Sequence, residues 1–295
     1  MDDPEDFDSL FREAVAAIDA GDVAALERLL AGHPRLACDR HTSPGPWLRD
    51  QIGGALDSFY KDPYLLWFVT EDAPRTGQLS PNVAQITRTI LRAAEGTESL
   101  PEQLETTMNF AVCSHVGRED GRQLELIDAL LEGGASPDHA LDALICYNFA
   151  AAEHLLRRGA GLTLPVAACT GRLDEVARLG PTATREEKQT ALALAAINGK
   201  AEGLAALIPL GVDLDDYSTG FYTHATPLHH AVYSGSLDAV KALVEAGAAL
   251  DPKDKAHGSM PLGWAEYSTK GKPKGDETAK RYAEIAAYLR GKGAQ

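Results

Sequence analysis

Few side chains in this 295-residue chain are of a type and spacing that could do chemistry. Cys113 and His115 supply a thiol and an imidazole, the two parts of an activated nucleophile. Two residues apart, they would point in different directions on a helix, which weakens the pair. His224 and His230 offer groups that exchange protons near neutral pH. No His-x-His, His-Glu-x-x-His or carboxylate at a fixed offset accompanies them, so no metal is expected. The four cysteines, Cys38, Cys113, Cys146 and Cys169, are scattered without a C-x-x-C and read as reduced thiols in apolar packing. The chain has no G-x-S-x-G, no G-x-x-x-x-G-K-[ST] and no strand followed by G-x-G-x-x-G. No cofactor is therefore expected and no catalytic motif is recognised, although an active site is defined by geometry rather than by motif.

The elements that must position these groups are helices. The stretch from Thr226 to Ala248 reads as a short helix, a stop at Gly235, a second apolar-periodic helix and a stop at Gly247. Leu228, Ala231 and Val232 share one face of the first helix; Leu237, Val240, Leu243 and Val244 share one face of the second. Thr226 and Pro227 start the unit with a hydroxyl cap and a proline whose missing N–H is not needed there. Two helices this short cannot bury their apolar faces alone, so the unit implies stacked copies of itself.

Thr226-Pro227-Leu228-His229-His230-Ala231 resembles the ankyrin repeat, whose helix start is Thr-Pro-Leu-His-x-Ala; His230 stands where that family usually has an aliphatic residue. The resemblance implies an all-α solenoid of about eight helix-turn-helix units, joined by short β-turn fingers and interrupted by insertions. It also implies that His229 is structural, bonding to backbone within and between repeats. Thr190, Thr226 and Met260 open successive units at spacings of 36 and 34 residues.

The expected organisation is one array over residues 1–295. Residues 1–37 form an N-terminal capping repeat, with Phe11, Val15 and Ile18 on one helix and Leu26, Leu29 and Leu30 on the next. Residues 38–62 are an inserted loop, kept ordered by Trp47, Phe59 and Tyr60. Residues 63–137 hold irregular repeats, with Asp62-Pro63 replacing Thr-Pro and a loop from His115 to Gly121. That divergent opening is similar to bacterial ankyrin-repeat proteins. Residues 138–259 hold compact and regular repeats, in which Tyr147-Asn148 stands where a helix-ending glycine belongs. Residues 260–295 form a C-terminal capping repeat with a polar run from Lys270 to Glu277.

By position in the repeat, the resemblance places Tyr222, His224, His230, Tyr233, His257 and Tyr267 on a concave binding groove, with Trp264 close by. Tyrosine and tryptophan give large contact area at small entropic cost. The leading expectation is a non-catalytic scaffold that binds a protein or peptide there. The alternative is a small-molecule binder or enzyme, with a pocket roofed by residues 40–62, walled by Trp47, Tyr60, Tyr64 and Trp67, and supplied with polar chemistry by Cys113 and His115.

The net charge of −15 and a pI near 5.0 argue against nucleic acid or an anionic membrane and leave a basic partner open. An acidic Met1–Asp6 start without a basic-then-apolar order, and no run of roughly 18 apolar residues, lead to an expected cytoplasmic location.

Overall fold

Short amphipathic helices pair because each has one apolar stripe to bury, and in the computed structural model the pairs then stack two layers deep. The structure describes residues 4–217, 221–273 and 275–295. The acidic Met1–Asp3 start, and Lys274 within the polar run 270–277, lie outside the described residues. Two compact units emerge, Met1–Gly161 and Leu162–Gln295.

In the first unit the helices are α1 (Pro4–Ala20), α2 (Val23–Gly32), α3 (Pro46–Ile52), α4 (Val83–Ala93), α5 (Leu100–Cys113), α6 (His115–Asp120), α7 (Gln123–Glu132), α8 (Ala140–Ile145) and α9 (Phe149–Arg157). One layer runs α1, a 3-10 turn at Leu65–Val69, α5 and α8; the other runs α2, α4, α7 and α9. Asp22 caps α2 by accepting from the Ala25 N–H at 2.9 Å.

Residues 38–62 are more than a loop. They contain α3 and a 3-10 turn at Gly53–Asp57. Asp8 of α1 ties down the start of the segment: Oδ1 accepts from Gly45 N (2.8 Å) and Trp47 Nε1 (2.8 Å) and meets His41 Nε2 at 2.7 Å. The segment from His115 is likewise a helix, α6, started by Ser114, whose hydroxyl accepts from Gly117 N. The loop between the Leu65–Val69 turn and α4 is built on Glu71, whose Oε2 accepts the N–H groups of Arg75, Thr76 and Gly77. The Arg75 guanidinium, itself buried, bridges Glu71 and Asp19.

Cys113 and Cys146 are joined in a disulfide, which corrects the expectation of four reduced thiols; Cys38 and Cys169 are free. Both bonded cysteines sit where the first helix of a pair ends, 33 residues apart, so stacking one repeat on the next brings them together. The next residue, Tyr147, takes φ of +58°, the left-handed conformation that a glycine adopts without strain.

The second unit is more regular. Its helices are α10 (Leu164–Cys169), α11 (Leu173–Leu179), α12 (Arg185–Ile197), α13 (Ala201–Leu207), α14 (Pro227–Tyr233), α15 (Leu237–Glu245), α16 (Pro261–Thr269) and α17 (Glu277–Gly291). The even-numbered helices stack in one layer and the odd-numbered in the other. Gly235, at φ +70°, makes the turn between α14 and α15.

The expected short β-turn fingers are not formed: among the described residues there is no strand at all. A β finger needs neighbouring hairpins to exchange ladder hydrogen bonds. Here the bonds between neighbouring connections come mainly from side chains. Asp215 accepts from Ala249 N, and Gln189 brackets the backbone of Asp213. One backbone bond, Lys255 N to His224 O at 2.7 Å, joins two connections directly. Each unit is thus an all-α solenoid of helix pairs with irregular turns between them.

Candidate functional site

The start of α14 sets the geometry of the C-terminal surface. Thr226 and His229 form a reciprocal cap, with Thr226 Oγ1 2.9 Å from His229 Nδ1. His229 Nε2 lies 3.0 Å from the Ser259 carbonyl of the next connection. A carbonyl accepts only, so Nε2 carries the proton and Nδ1 accepts from Thr226. His229 therefore bonds both within its own repeat and to the next one, the structural role expected of it.

Asp254 organises that next connection. Its carboxylate accepts from Ala256 N, His257 N, Ser259 N and the Trp264 indole at 2.6–3.0 Å. Burial opposes its charge, but the hydrogen bonds from Trp264 and the three N–H groups outweigh that and bring the carboxyl down to about 2. Sequence reading missed Asp254. Its signal is an Asp two to five residues before N–H groups at the edge of a helix pair, the pattern of an Asx turn.

With the indole fixed, the rings assemble around it. His224 stacks on Trp264 at 5.9 Å, and His229 and Tyr233 meet its edge or face at 5.0 and 6.4 Å. Tyr233 remains 55% exposed and Tyr267, one turn beyond Trp264, 73% exposed. The Tyr282 hydroxyl donates to the Tyr233 carbonyl, which holds the end of α14 against α17. His257 is exposed on the Asp254 turn.

His230 is different. It is buried, and its imidazole bonds to the backbone of Tyr222 and Ala225 while Nε2 has no partner. Burial, with the neighbouring His224 and His229, pushes it down to about 4, so it is neutral at pH 7 and does not work there as an acid. Tyr222 lies 5.9 Å from its ring and is half-buried. Of the six groove residues, Tyr233, His257 and Tyr267 face solvent, Tyr222 and His224 partly so, and His230 does not.

The residues expected to wall a pocket are found packed together instead. Tyr60, Tyr64 and Trp67 are buried, and Tyr60 stacks on Phe110 at 5.0 Å. Burial raises the Tyr60 hydroxyl far above the usual range; it donates to the Trp67 carbonyl at 2.8 Å. Arg40 lies over the Tyr64 and Trp67 rings and pairs with Glu102, to which the Tyr64 hydroxyl also donates. Trp47 is anchored on Asp8 rather than facing a cavity. A depression of about 450 Å³ on the insertion is lined by Pro44, Arg49, Leu56 and Lys61, and by none of the expected wall residues. The Cys113 sulfur is in its disulfide, while His115 is exposed and pairs with Glu119. Burial pushes the Asp72 carboxyl up to about 6, and its side chain forms no hydrogen bond or ion pair with a described residue. Among the described residues no cluster of His, Cys, Asp or Glu could hold a metal ion, and no helix is long and apolar enough to cross a membrane.

Residues 115–255 match the family described as ankyrin repeats in three copies. That segment is an ankyrin-repeat domain. Among solved structures the chain is similar to an ankyrin repeat domain from Acinetobacter baumannii AYE, with 23% identity over 64% of this chain and 98% of that chain. The TM-score is 0.35. No curated protein matches the chain. Ankyrin-repeat modules are generally implicated in protein–protein interactions.

Proposed function

We propose that this chain is a non-catalytic binding module that takes a protein or peptide partner on the ankyrin surface carrying His224, Tyr233, His257 and Tyr267. The observation that carries the reading is the exposure of Tyr233, which meets a fixed indole, and of Tyr267, one turn beyond it. The fold does not need these rings outside, and exposed aromatics on a rigid base are what interface hot spots are made of. Preorganisation by Asp254 and His229 lowers the ordering cost of binding.

The test is co-purification from the source organism with tagged wild type and with Tyr233→Ala/Tyr267→Ala. A partner recovered with the wild type and reduced at least about tenfold with the double variant supports the reading, corresponding to about 1.4 kcal/mol or more. Equal recovery by a variant with an unchanged unfolding temperature would place binding elsewhere.

A further inference from the structure

The charge of the chain is unevenly spread. Residues 1–161 hold 27 Asp and Glu against 13 Lys and Arg, whereas residues 162–295 hold 16 against 15. The acidic excess thus belongs almost wholly to the first unit, and the aromatic surface of the second must be judged on its own charges.

Four of those charges are exposed lysines. Lys253 and Lys255 stand on the Asp254 turn, and Lys270 and Lys272 follow the end of α16; all four are exposed, and none forms an ion pair with a described residue. Lys255 lies over the Tyr217 ring at 4.2 Å and Lys270 over Tyr267 at 5.8 Å. The Tyr217 hydroxyl donates to the Lys253 carbonyl, and Lys255 N donates to His224, so these residues join the Trp264 cluster in one surface.

The carboxylates nearby are already engaged. Asp254 is buried under four donors. Glu266 pairs with Arg290, Asp213 and Asp216 with Arg185, and Asp276 accepts from Ala279 N to cap α17. Asp215 accepts from Ala249 N. These carboxylates keep their charge, but their oxygens are held on N–H and guanidinium donors; the four lysines are the charged groups beside the exposed tyrosines that have no ion-pair partner among the described residues.

We propose that the turn at 253–257 and helix α16 form a cationic aromatic face that takes an acidic segment of a partner protein. This rests on the binding reading above and adds the partner's chemistry. Carboxylates would meet Lys255 and Lys270, while side chains between them lie on Tyr233, Trp264 and Tyr267. A long polyanion is disfavoured, because a duplex presents charge over many ångströms to a chain of net −15. A short acidic peptide feels mainly the charges within about 8–10 Å.

The experiment uses the full chain and three immobilised pools of random twelve-residue peptides. All contain aliphatic and aromatic residues, and each pool is fixed at five Glu, five Gln or five Lys. We expect retention on the Glu pool at least about tenfold above either other pool, weakened by raising salt. Lys255→Glu/Lys270→Glu, and separately Lys253→Glu/Lys272→Glu, should remove the preference with unfolding temperature unchanged. Equal retention on Glu and Gln pools, preference for the Lys pool, no retention on any pool, or displacement from the Glu pool by a 20-base-pair duplex at lower concentration than by free Glu peptide would overturn the proposal. The binding reading falls separately: charge reversal that leaves a co-purified partner bound, where Tyr233→Ala/Tyr267→Ala releases it, defeats only the acidic-segment assignment.

Discussion

The two units use the same residue types for opposite ends. In residues 1–161 a cluster of aromatic rings turns inward: Tyr60, Tyr64, Trp67, Phe68 and Phe110 pack against one another, with Arg40 over two of the rings and Arg75 on the buried Glu71. In residues 162–295 the rings around Trp264 reach the surface, and lysines beside them keep their charges free. Irregular repeats lack the regular fit of small residues between helices, and large side chains fill the space. Regular repeats, with Ala191, Ala193, Ala195 and Ala196 packed along α12, close without them and leave aromatics available for contact.

This contrast can be broken by experiment. The largest effect is expected at Tyr60, whose ring and hydroxyl are both used inside the first unit. Tyr60→Ala should lower the unfolding free energy by about 3–5 kcal/mol in denaturant titration; a loss under about 1 kcal/mol would mean that the ring cluster does not hold that unit together. Next comes the link between neighbouring repeats. Cys113→Ser should cost about 3–4 kcal/mol for a closed loop of this size. Dithiothreitol should lower the wild-type unfolding temperature similarly and leave the variant unmoved; a reductant effect equal in both would discount the crosslink.

The third effect sharpens the picture of the second unit. His230 is pushed down to about 4 from an ordinary 6.5, so below pH 6.5 the unfolded chain takes up a proton that the folded chain refuses. Its contribution is whole above pH 6.5 and is lost as pH falls to 4, by about 3 kcal/mol at the end. His230→Leu should be free of this part of the acid dependence when stabilities at pH 7, 5.5 and 4 are compared. Parallel slopes would assign the effect to other groups.

Much of the second unit was legible in the chain. Thr226-Pro227 and Gly235 mark α14 because their signals are local: a cap, a fixed φ and a left-handed turn. The role of His229 followed from the resemblance, and its bonds to Thr226 and Ser259 agree with it. The missing β fingers were not legible, since a ladder depends on partners in neighbouring connections. The roles of Asp8, Glu71 and Asp254 were hidden for a similar reason: a carboxylate reads as surface charge until its donors are seen around it. The Cys113–Cys146 bond did leave a trace. A separation of 33 residues, close to one repeat length, places both at the same point of successive pairs. The aromatic insertion misled because rings predict order but not whether they wall a cavity or fill it.

Asp254 has one more consequence. Because a single carboxylate gathers the N–H groups of residues 256, 257 and 259 and the indole of Trp264, the turn holds its shape without help from the side chains that point outward. Lys253, Lys255 and His257 are therefore free to vary while the backbone beneath them stays put. The turn behaves as an interchangeable cassette, on which selection or a designer can rewrite specificity residue by residue without reopening the folding problem.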